Sequence, residues 1–201
     1  MTKTYTDTKI DQFLRTGEAA NDLRALFGST LYDMLREEAR QQPVAFSESA
    51  RPKVYILPGI LGSSLEVKNW FFHDLVWVDP LELLIGGMRR LRLSPDDGVR
   101  PRGALKLAYE RMKMRLDRLG MDVVELPYDW RKSTMAEARR LMERLRSENS
   151  SPVTLIGHSM GGLVARGLAS LDPDGAVIGK VITIATPNLG SYSPVQVFTI
   201  D

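Results

Sequence analysis

The chain has 201 residues, 43% of them hydrophobic and 26% charged, with a formal net charge of +2. That length and apolar content are enough to bury a sizeable core as one domain with an appendage, and so small a charge gives no footing for nucleic-acid binding. The absence of cysteine excludes disulfides, thiolate catalysis and zinc-thiolate centres together and fits a reducing compartment.

No apolar run reaches the length of a membrane span, and the opening Met1-Thr2-Lys3-Thr4-Tyr5 lacks the apolar stretch of a secretory signal, which predicts a cytoplasmic product. No motif asks for a cofactor or a metal. Residues 1–50 read as an N-terminal helical extension: Phe13 and Leu14, then Leu23, Leu26 and Phe27, then Leu31, Leu35 and Ala39 recur at helical spacing, broken at Gly28-Ser29-Thr30. The polar face of this stretch carries both signs of charge, which favours a packing arm over a dimerisation or membrane-docking helix.

Residues 51–201 read as an α/β core. Lys53-Val54-Tyr55-Ile56-Leu57 is a buried strand that runs into the glycine-punctuated loop Pro58-Gly59-Ile60-Leu61-Gly62-Ser63-Ser64. From about 66 to 103 the periodicity is lost over a length too great for an ordinary connection. This insertion carries Trp70, Phe71, Phe72, Leu75, Val76 and Trp77, then Leu81, Leu83, Leu84 and Ile85, and is read either as a lid over an apolar cleft or as a subdomain completing the core. A basic run from Arg89 to Arg118 follows; the first reading is a solvated helix face, the second a peripheral contact with anionic lipid headgroups.

Residues 121–126 form a further strand ended by Pro127, and Thr134 and Glu137 stand at capping-box spacing before a helix with Met135, Ala138, Leu141, Met142 and Leu145 on one face. Val153-Thr154-Leu155-Ile156 is the next buried strand, and Leu163, Val164, Ala165 and Leu168 mark the helix after it. Between them lies Gly157-His158-Ser159-Met160-Gly161, a G-x-S-x-G match in the strand-turn-helix setting of a nucleophile elbow. Residues 181–185 give the last strand, closing on Thr186-Pro187-Asn188-Leu189-Gly190-Ser191. Strands alternating with helices argue a mostly parallel sheet with helices on both faces.

The loop at Pro58, then Val76-Trp77-Val78-Asp79-Pro80, then Pro127-Tyr128-Asp129-Trp130-Arg131, the elbow and the Thr186 loop follow one another in an order that resembles the lecithin:cholesterol acyltransferase family over roughly residues 52 to 195. The combination is far more specific than any one of its motifs. The resemblance implies an α/β-hydrolase fold and an enzyme of the lipase, phospholipase and acyltransferase kind, with a lipid or other ester as substrate. It implies an acyl-serine mechanism at Ser159, with the backbone N–H of Ile60 as one oxyanion donor. The elbow itself offers the other, the backbone N–H of Met160.

The acid and base depart from the pattern. In α/β-hydrolases the order along the chain is nucleophile, carboxylate, histidine. After Ser159 only Asp172, Asp174 and Asp201 are carboxylates, and no histidine follows. His158 sits inside the elbow with its ring beside the turn; Asp172 and Asp174 flank Pro173 as turn residues; His73, in the insertion, reads first as a loop histidine with no special role and second as a candidate base. The chain therefore reads as the N-terminal part of a hydrolase, truncated before the strands that bear the acid and base. Its sheet then ends near residue 185 in an apolar edge that a second chain or a homodimer covers, unless the chain is the marginally stable product of an incomplete gene. A non-catalytic module of the same fold that binds lipid or a partner is the other class of function, and a serine esterase on a non-lipid ester shares the chemistry of the first.

Overall fold

The computed structural model describes residues 7–41, 51–68, 73–75, 93 and 98–192. They fall into two compact units, one of residues 1–53 with 105–123 and the other of 54–104 with 124–201.

The first unit is helical. Helices α1 (Asp7–Thr16), α2 (Ala20–Phe27) and α3 (Ser29–Arg40) bury Ile10 and Leu14, Leu23 and Phe27, and Tyr32, Leu35 and Ala39 in one cluster, with Met114 of α4 (Lys106–Arg118) packed against it. The apolar faces of the N-terminal helices are thus spent largely on one another. Leu26, expected on the buried stripe, is exposed, and Ile10 and Tyr32 take places that the spacing alone did not assign. The break falls at Gly28, whose φ of 76° ends α2 and starts α3; a side chain there would be strained. Part of the basic run is neutralised inside this unit: Glu38 pairs with Arg118 at 2.8 Å and with Arg111 at 4.0 Å.

The second unit holds the sheet. Strands β1 (Lys53–Leu57), β5 (Asp122–Glu125), β6 (Val153–His158) and β7 (Ile178–Ile184) lie in the order β5-β1-β6-β7, and β6 runs parallel to both β1 and β7. Bonds from Asp122 N–H to Pro52 O and from Leu126 N–H to Ile56 O climb both chains together, so β5 is parallel as well. Helices α5 (Thr134–Glu148) and α6 (Met160–Ser170) share a core with Tyr55, Leu57, Val153 and Leu155 through Leu141, Leu145, Val164 and Leu168. Val54, Ile56 and Ile156 on the opposite face are buried too, the two-sided burial that parallel strands need.

The insertion is tied off at its root. Strands β2 (Ser63–Lys68), β3 (His73–Leu75) and β4 (Val99–Ala104) form an antiparallel sheet in the order β3-β2-β4. Pro101 lies on the edge strand β4 beside the register shift at Ser64/Leu65, where a missing N–H does least harm. The apolar residues that suggested a lid, Trp70 to Phe72 and Val76 to Ile85, lie outside the described residues, as do Asp79 and Asp201.

Two local expectations are corrected. Thr134 and Glu137 do not form a capping box: Ser133 is the N-cap and makes no side-chain cap bond, while the buried Glu137 carboxylate accepts the Asp129 N–H at 3.1 Å and is held by Arg140 at 2.7 Å. Asp172 is more than a turn residue. Its Oδ2 accepts the N–H groups of Val177 (2.9 Å) and Ile178 (2.8 Å), which is why β7 starts at Ile178 and not at 181. Burial pushes the Asp172 carboxyl up, and those donors outweigh it, holding the group below the usual carboxylate range. At the other sheet edge from β5, Ile182 and Ile184 of β7 are exposed.

Candidate functional site

The chain passes from β1 to β5 on one side of it and then to β6 on the other, so the strand order reverses between β1 and β6. In open parallel sheets ligands bind outside the carboxyl ends of the strands at such a switch point. The register aligns Leu57 with Gly157 and His158 with Ile184, which brings the loops leaving β1, β6 and β7 to one edge. Backbone strain gathers there: Leu61 (φ 61°), Ser159 (φ 52°) and Ala185 (φ 49°) follow those three strands in turn. Non-glycine residues in that region cost on the order of 1–3 kcal/mol each and persist where the surroundings over-determine them.

Ser159 stands between β6 and α6 at φ 52°, ψ −124°, the sharp strand-to-helix turn that the motif calls for. Its N–H donates to Ile184 O at 2.8 Å and its carbonyl accepts the Gly162 N–H at 3.0 Å, so both backbone groups are tied and the hydroxyl alone is left to turn. The glycines around it are dictated by space. A Cβ on Gly161 would lie 2.3 Å from Leu57 O, one on Gly157 2.5 Å from Gly162 Cα, and one on Gly162 1.9 Å from Thr186 Oγ1.

The Pro58 loop lies against the elbow: a Cβ on Gly59 would meet Ser159 Cβ at 3.1 Å and His158 Nδ1 at 3.3 Å. The loop is a β-turn closed by the Gly62 N–H on Gly59 O at 2.9 Å, with Leu61 at positive φ in its third position. Because a trans peptide sets C=O and N–H on opposite sides, this bond turns the Ile60 N–H out of the turn. Among the described residues it meets no acceptor. The Ile60 side chain is exposed, whereas that of Met160 packs on the core. The Met160 N–H, at the first position of α6, has no intrahelical partner.

Neither histidine is placed at Ser159 by this backbone. The His158 ring is turned toward Gly59. His73, expected on a loop, lies on β3 opposite Lys68, at the far end of β2 from Ser63 and so about 16 Å along the strand at about 3.3 Å per residue. Asp174 is exposed beside Asp172.

The segment Pro127 to Arg131, named in the sequence only as part of a resemblance, proves to be the support of the Pro58 loop. Tyr128, buried, donates its phenol O–H to Pro58 O at 2.8 Å. The Tyr128 N–H meets Ser63 Oγ at 3.2 Å, and Trp130 Nε1 donates to Ser63 O at 3.1 Å. Arg131 grips Asp129 through Nε at 2.9 Å and Nη2 at 2.7 Å, both side chains being buried. Burial pushes the Asp129 carboxyl up, and Arg131 outweighs that and holds it below its usual range.

Residues 106–200 match the family model described as Lecithin:cholesterol acyltransferase. The match takes in the Tyr128 segment, the elbow and the Thr186 loop and leaves out the loop at Pro58. No curated protein matches the chain.

Proposed function

We propose that this chain, whose residues 106–200 match the family model described as Lecithin:cholesterol acyltransferase, transfers or hydrolyses the acyl group of a lipid ester through an acyl-Ser159 intermediate. The observation that carries the proposal is the Ser159 turn at φ 52°, ψ −124°, with Gly59 of the neighbouring loop packed against its Cβ.

In this reading Ser159 Oγ attacks the ester carbonyl as a base removes its proton. The oxyanion is received by the N–H groups of Ile60 and Met160, each worth about a hundredfold or more in rate. Collapse of the tetrahedral adduct breaks the ester C–O bond and releases the alcohol, which takes up the proton. Water or a second alcohol then attacks the acyl-serine and restores the hydroxyl. The base is unassigned: His73 stands as the sequence candidate, and its place on β3 leaves it to be delivered by movement or replaced by another group. Among the described residues no helix is long and apolar enough to cross a membrane.

A non-catalytic module binding lipid or a partner is the second reading, favoured by the backbone placing neither His73 nor His158 at the Ser159 hydroxyl. Fluorophosphonate labelling, read by intact mass and peptide mapping with Ser159→Ala as control, separates the two. Stoichiometric modification of Ser159 is expected of the enzyme; folded protein that stays unlabelled would sink that reading in favour of the module.

A further inference from the structure

The geometry points to Tyr128 as the positioning residue that sets the oxyanion loop, an inference that rests on the acyl-serine reading of Ser159. The loop needs two consecutive peptides held. The bond from Gly62 N–H to Gly59 O fixes the peptide between Gly59 and Ile60, and with it the direction of the Ile60 N–H. A short turn can still swing about its entry. The entry is the peptide between Pro58 and Gly59, and its carbonyl is the group that the Tyr128 phenol holds at 2.8 Å. Pro58 O is also the atom that a Cβ on Gly161 would approach to 2.4 Å, so this carbonyl lies at the contact between loop and elbow. A small rotation there moves the Ile60 N–H relative to Ser159.

The tyrosine is well suited to the task. Its ring belongs to the same buried core as Val164 and Leu168 of α6, so one rigid body carries both the elbow helix and the phenol. The Ser63 contacts of the Tyr128 N–H and Trp130 hold the far end of the loop at 3.2 and 3.1 Å. Entry and exit of the oxyanion loop are therefore clamped by one short segment, Pro127 to Arg131, which itself is locked by the Asp129–Arg131 fork.

The test compares Tyr128→Phe with Tyr55→Phe, a second buried tyrosine of the same core whose phenol meets Glu148 and Asn149 instead. Hydrolysis of p-nitrophenyl butyrate and the rate of fluorophosphonate labelling are measured on both, together with amide hydrogen exchange across residues 58–62. Tyr128→Phe is expected to lower kcat and the labelling rate about tenfold to a hundredfold with KM nearly unchanged, and to speed exchange in the loop. Tyr55→Phe is expected to leave kcat and the loop amides as in the wild type, whatever it does to stability. If wild-type Ser159 labels and Tyr128→Phe matches Tyr55→Phe in kcat, the positioning role is wrong while the function stands. If wild-type Ser159 does not label, the acyl-serine reading fails and the catalytic role of Tyr128 falls with it, even where exchange shows a loosened loop.

Discussion

Replacing Gly161 by alanine tests the packing of the elbow directly. The added Cβ would sit 2.3 Å from Leu57 O, 2.4 Å from Pro58 O and 2.8 Å from Leu57 C, all main-chain atoms. A carbon-oxygen contact is comfortable near about 3.3 Å, so α6 and the end of β1 must separate by roughly 1 Å. Neither side gives easily, since the β1–β6 register holds Leu57 opposite Gly157. Overpacking of this kind costs about 1–3 kcal/mol, the upper end applying where backbone is the obstacle, and the helix-propensity gain of alanine over glycine returns about 1 kcal/mol. The net loss of about 2 kcal/mol lowers Tm by roughly 4–8 °C in a domain of this size.

The control is Gly167→Ala in the same helix, where the new Cβ meets Ala138 Cβ at 3.1 Å and Met135 Sδ at 3.4 Å. Methionine yields readily and the Ala138 methyl needs to give by only a few tenths of an ångström, so the propensity gain roughly offsets the crowding and Tm stays about level. Thermal unfolding followed by circular dichroism reads both variants. Equal shifts in Tm for the two would refute the argument that the elbow glycines are set by contact with the β1 backbone.

Ser159→Gly relieves the positive φ at the elbow and is expected to raise stability by about 1 kcal/mol in urea unfolding while abolishing labelling. Arg131→Lys loses the fork on the buried Asp129 and should destabilise by on the order of 3 kcal/mol in the same assay. Asp172→Asn keeps the shape but gives up the charge that holds Val177 and Ile178. Because the folded-state pKa of Asp172 is depressed, its contribution is fully present above the unfolded value of about 3.9 and lost as pH falls through the folded value. The Tm deficit of Asp172→Asn should thus be constant from pH 6 to 8 and shrink below about pH 4.

The sheet was legible because buried parallel strands are short apolar runs bounded by breakers, as at Leu57 before Pro58 and at residue 126 before Pro127. The strand-to-helix turn at Ser159 was legible because its serine, its glycines and the flanking periods all lie within one stretch. What could not be read are contacts between distant segments. Glu137 looks like half of a capping box and is instead the acceptor for Asp129 N–H; Asp172 looks like any residue before proline and holds the start of β7. Tyr128 is separated from Pro58 by 70 positions, and no local pattern announces a phenol aimed at a carbonyl so far away. The side of a helix can be misjudged for the same reason: Leu26 has the spacing of a core residue, yet the neighbouring helices leave it exposed.

The arrangement also orders the events at the site. Ser159 has its N–H on Ile184 O and its carbonyl on Gly162 N–H, and its neighbours leave no room for a Cβ at Gly157, Gly161 or Gly162. Strain so bounded cannot relax by moving the serine. The loop at Pro58 is likewise held, at entry by Tyr128 and at exit through Ser63. On the proposed acyl-serine reading, nucleophile and oxyanion donors would thus be preorganised before substrate arrives, which is the condition for such donors to act without reorganisation during the reaction. The base stands differently, because the two histidines of the chain lie one within the elbow and one at the remote end of β2. On the proposed reading the proton of Ser159 must go to a base that neither described backbone position supplies, and the pH dependence of labelling reports the group that takes it.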